Sequence, residues 1–71
     1  MKKIYEAKLN KSTVYLVSEE SNTISLVFQT LENAKLAQSG QKLEATAIAV
    51  NSEVLSFGKI IGYIEDKVEI N

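Results

Sequence analysis

Apolar and polar side chains alternate with a period of two near the start of the chain, and this strand pattern limits the fold more than any other feature. Over residues 3–9 it places Tyr5, Ala7 and Leu9 on one face and Ile4, Glu6 and Lys8 on the other, as in a half-buried strand. Asn10-Lys11-Ser12 is a turn candidate. Residues 13–18 are rich in β-branched and aromatic side chains and predict a second strand, paired with the first as a hairpin. A polar break spans residues 19–22. A third strand over 23–29 then carries Ile24, Leu26 and Phe28 on one face, and Val27 on the other.

The period changes after Gln29. Thr30 can cap a helix whose first turn holds Glu32, a favourable charge at the positive end of the helix dipole. Leu31, Ala34 and Ala37 form a narrow apolar stripe with Leu36 beside it, and Gly40 can end the helix in a left-handed conformation. So short a helix depends on tertiary packing. Residues 43–55 fit two periods. Thr46, Ile48 and Val50 alternate with Ala45, Ala47 and Ala49, as in a strand covered on both faces, while Leu43, Ala47, Val50 and Val54 fit a helix. The strand reading is taken for 44–50. A turn at Asn51-Ser52, an extended piece over 54–57, a strand over 59–64, a turn at Glu65-Asp66 and a last strand over 68–70 complete the chain.

These elements predict a single domain over residues 1–71 of the α+β class: a small antiparallel β-sheet with one short helix packed on one face. The chain has 71 residues, 45% of them hydrophobic, with no proline and no cysteine. A domain of this size buries only about 60% of its unfolded surface, so extra stability must come from tight packing or from a partner chain. Apolar residues on both sides of the last strands (Ile60, Ile61, Tyr63, Ile64) suggest that one sheet face is left for a partner, and a homo-oligomer is expected. Tyr5, Tyr15, Phe57, Ile61 and Tyr63 are the candidate interface residues, since aromatic rings pack well at subunit contacts.

Charge is uneven. Residues 1–11 hold four lysines against Glu6, a net of +3, and the remainder holds four lysines against eight acids, a net of −4. Lys2, Lys3, Lys8 and Lys11 form a candidate basic patch, which sets up an alternative reading as a nucleic-acid-binding accessory protein. That reading is the weaker one. The chain has no arginine, the residue suited to bidentate contact with guanine and phosphate, and a net charge of −1 gives no broad positive field. Lysines on a strand also serve to keep an edge solvated.

No catalytic, cofactor or metal site is read from the residues. With no histidine or cysteine, the usual zinc ligands and the usual proton acceptor for a serine nucleophile are missing. Glu19-Glu20 and Glu65-Asp66 sit at expected turns, away from the buried settings in which paired carboxylates do acid–base chemistry. Gly58 and Gly62 flank a strand instead of joining a strand to a helix, so they do not make a phosphate loop. Gly62 instead marks a bulge or a close backbone approach. The Met-Lys-Lys start is followed by no apolar stretch of a signal peptide, and the longest apolar run, residues 47–50, is too short to span a bilayer, which points to a cytoplasmic protein without a membrane partner.

In size and element pattern the chain resembles small proteins of bacterial phages and mobile elements. That resemblance implies a protein that binds and modulates a host or phage protein. The expected function is therefore that of a non-catalytic protein–protein interaction or regulatory module that self-associates.

Overall fold

A computed structural model describes residues 2–19 and 23–70. In chain order the elements are β1 (Lys2–Leu9), β2 (Ser12–Glu19), β3 (Ile24–Phe28), α1 (Leu31–Gln38), β4 (Ala47–Val50), β5 (Glu53–Ser56) and β6 (Lys59–Ile70). Each strand pairs antiparallel with the next, and β6 returns to β1, so the six strands close into a barrel.

The expected α+β sheet with a helix on one face is therefore corrected to a closed antiparallel β-barrel. The physical cause lies in residues 59–70. They form one strand, and no turn interrupts them at Glu65-Asp66. Asp66 takes a left-handed conformation (φ 54°), and the β1–β6 register shifts between Glu6 and Lys8, so the chain bulges and bends without reversing. The first half of β6 pairs with β5 (Glu53↔Tyr63, Ser56↔Lys59) and the second half with β1 (Leu9↔Ile64, Ile4↔Ile70). One long bent strand thus serves two neighbours and closes the ring.

Other boundaries also move. β4 begins at Ala47 where a strand from residue 44 was expected, and residues 43–55 contain no helix. The polar break at 19–22 lies, beyond Glu19, outside the described residues. The local expectations for β1, β2, β3 and α1 agree with the structure within a residue or two. Thr30 Oγ1 accepts from the Asn33 backbone N–H at 3.2 Å. At the other end Gly40, at φ 103°, donates to Ala37 O while Gln41 N donates to Leu36 O, the paired bonds of a left-handed helix stop.

Barrel diameter grows with strand number, and eight strands already enclose a space that side chains just fill. Six strands leave less. The interior accordingly consists of Ala7, Val14, Leu16, Val27, Ala47, Ala49 and Val54, with Tyr5, Leu9 and Ile64 packed at its margins. At Gly62 a side chain has no room, because a Cβ there would lie 2.7 Å from Leu9 Cδ1 and 2.9 Å from Asn10 Oδ1. Neither neighbour is loose. Leu9 packs on the core, and the Asn10 amide donates to Ile61 O at 3.0 Å. Outside the wall, α1 covers Ile4, Val17 and Phe28 with Ala34 and Ala37, both buried. Gln38 Nε2 ties the helix to the start of β1 by donating to Lys2 O at 3.0 Å.

Two substitutions test this packing. Ala49→Leu overfills the bore and Gly62→Ala pushes on Leu9 and Asn10. Each is expected to lower unfolding stability by about 1–3 kcal/mol, read as a lower urea midpoint at unchanged slope.

Candidate functional site

Along β4 the bore takes Ala47 and Ala49 and sends Ile48 and Val50 outward. Residues directly opposite in antiparallel strands share a face. Outside the barrel this builds one continuous row across four strands, Leu26↔Ile48↔Leu55↔Ile60. A second row runs beside it, Ile24↔Val50↔Glu53↔Tyr63. The register shift opposite Val54 and Leu55 inserts Ile61 between these rows. Solvent reaches much of this surface: Ile48 is 45%, Ile60 49% and Tyr63 57% exposed. The helix shelters Ile4, Val17 and Phe28 and does not extend over this side, where Ile24 and Leu26 of β3 stay exposed.

Beside the first row lies a groove of about 340 Å³ lined by Leu26, Ala45, Ala47, Ile48, Leu55 and Phe57, with Glu44, Thr46 and Ser56 adding polar atoms. Phe57 is the least sheltered large side chain, fully exposed at the tip of the β5–β6 hairpin. It was expected at the end of an extended piece. Instead, Phe57 (φ 52°) and Gly58 (φ 78°) are the two central residues of a tight turn with left-handed backbone at both positions. Such turns favour Asn, Asp or Gly first, and a bulky side chain there costs about 1–2 kcal/mol. Both backbone and solvation therefore disfavour Phe57 in the free domain.

Of the expected interface residues, Phe57, Ile61 and Tyr63 fall together on the β5–β6 hairpin. Tyr5 and Tyr15 lie elsewhere. The Tyr5 ring packs at the margin of the bore with Lys67 Nζ 4.4 Å from its centroid, and Tyr15 packs against the helix-covered cluster beside Phe28. Leu26, Ile48 and Leu55 are surface residues that the sequence reading did not single out. Their signal was present in the alternation of Ile48 with Ala47 and Ala49, since in a narrow barrel the alanines take the inside.

The four N-terminal lysines do not converge. Lys3 reaches Glu69 at 3.6 Å, Lys8 donates to Thr13 Oγ1 at 2.7 Å, and Lys11 sits in the β1–β2 turn. Lys2 and Lys11 mark opposite ends of that hairpin, roughly 25 Å apart by strand rise. Alternation sets Lys3 on the other face of β1 from Lys2 and Lys8.

A second cavity, of about 350 Å³, is bounded by Thr23, Asn51, Ser52, Ile64 and Lys67. A third, of about 210 Å³, lies between Lys2, Val17, Ser18, Glu19, Ile24 and Leu26, and it carries the apolar surface past β3 toward β2. Among the described residues no group of three or more acidic, histidine or cysteine side chains is placed to hold a metal ion, and no helix is long and apolar enough to cross a membrane. The chain matches no protein-family model, no curated protein and no solved structure.

Replacing Phe57 by a better turn former isolates its backbone cost. Phe57→Asn is expected to stabilise the dilute domain by about 1 kcal/mol, seen as a higher urea midpoint at low protein concentration.

Proposed function

We propose that this protein is a non-catalytic interaction and regulatory module that self-associates through the outer surface of β3–β6. The observation that carries the reading is the unbroken apolar row from Leu26 to Ile60 on the outside of the barrel. A contiguous exposed apolar patch on a small domain marks a contact surface. The free energy available is substantial, since burying apolar area contributes about 25 cal/mol per Å² before the costs of association. A stable interface takes about 800 Å² from each partner, roughly a sixth of the 4918 Å² surface of this domain. A net charge of −1 sets little repulsion between two copies.

A regulatory role follows from the same surface, since a host or phage protein could compete with the second copy for it. Nucleic-acid binding is the less supported reading, because the lysines it would use are spread over both faces and both ends of a hairpin. Its proposed place of action is the cytoplasm, where a fold with no disulfide to form needs no oxidising environment.

Sedimentation equilibrium tests the proposal. The mass is expected to rise from one chain to two across the micromolar range. Ile48→Glu, which places a charge in the middle of the row, is expected to weaken association tenfold or more while the far-ultraviolet circular dichroism is unchanged. A native chain that sediments as a single copy at the highest concentration contradicts it.

A further inference from the structure

We infer that Phe57 anchors the self-association by reciprocal insertion: the ring of each copy enters the other copy's groove between Ala45, Ile48 and Leu55. This rests on the self-association proposed above and specifies how the two copies engage.

Four observations lead to it. First, Phe57 is disfavoured in the isolated domain twice over, by its left-handed backbone at φ 52° and by full exposure of its ring. A buried position in a complex relieves the second penalty. Second, the groove is immediately at hand. Phe57 itself forms part of the groove's lining, so one patch carries both a projecting ring and a recess. A two-fold contact requires a patch of this kind, in which each residue of one copy meets its counterpart's partner. An axis passing close to the hairpin tip lets both rings insert at once, with no second surface needed.

Third, the size fits. The groove, open to solvent, offers about 340 Å³, enough to seat a single phenyl ring. The lining side chains of Leu26, Ile48 and Leu55 then pack on the ring and exclude water, the usual setting of an aromatic anchor. Fourth, charge does not oppose the contact. Among the described residues Glu44 is the one charged side chain lining the groove, and Lys59, directly after the turn, supplies a cation at the same hairpin tip.

The chain has no tryptophan, so Phe57→Trp supplies a single indole reporter at the tip. Its emission is expected to shift to the blue and to lose acrylamide quenching as concentration rises, along the same curve as the dimer mass in sedimentation. Phe57→Asn, which suits the turn and keeps the barrel folded, is expected to raise the dimer dissociation constant at least tenfold. A dimer whose indole stays as quenchable as in the single chain, or an unchanged dissociation constant in Phe57→Asn, overturns the insertion while leaving self-association standing. A native chain that never dimerises removes both.

Discussion

The narrow bore of a six-stranded barrel governs this structure. Its centre holds Ala7, Ala47 and Ala49 with a few valines and Leu16, and at Gly62 it admits no side chain. Because strand residues alternate between the two faces of a sheet, filling the inside of β4 with Ala47 and Ala49 assigns Ile48 and Val50 to the outside. The domain therefore has an inner core and an apolar exterior. Along β1–β3 that exterior is resolved within the chain, where α1 lays its two buried alanines over Ile4, Val17 and Phe28. Along β3–β6 it is left to solvent.

Closure of the ring depends on β6. Its twelve residues divide their pairing between β5 and β1, and the bulge at Asp66 gives the bend that lets one strand meet both. Two contacts hold the seam near the start of the strand. Gly62 lets Leu9 approach the backbone, and the Asn10 side chain satisfies the carbonyl of Ile61. The same seam determines the surface beyond it, because the register shift beside Gly62 turns Ile60 and Ile61 outward next to Leu55.

What could be read from the residues divides along physical lines. The first three strands and the helix with both its caps were legible, because alternation, Thr30 and Gly40 act over a few residues. Closure was not, because it is a pairing between residues 4–9 and 64–70 that no local pattern encodes. Glu65-Asp66 looks the same in sequence whether it turns or bulges. The choice between them belongs to β1, which offers residues 64–70 a ladder to join. At the candidate surface, Phe57, Ile61 and Tyr63 stand out in the sequence as aromatic or two-sided apolar residues of the last strands, and the hairpin brings them together. Tyr5 and Tyr15 lie apart from that hairpin, at the bore and at the helix-covered wall, because aromatic character alone does not say which face of a strand a ring takes. Ile48 does not stand out, because alanines alternating with Thr46, Ile48 and Val50 read equally as a strand covered on both sides.

Bore, seam and surface thus form one causal sequence, which ends at an apolar exterior that the domain does not cover by itself. The most direct measurement is a series of amide NMR spectra of the native chain over increasing concentration. Shifts confined to residues 24–27, 45–50 and 53–63, with β1, β2 and the helix unmoved, are the expected result. A spectrum independent of concentration, or shifts centred on residues 31–38, would contradict it.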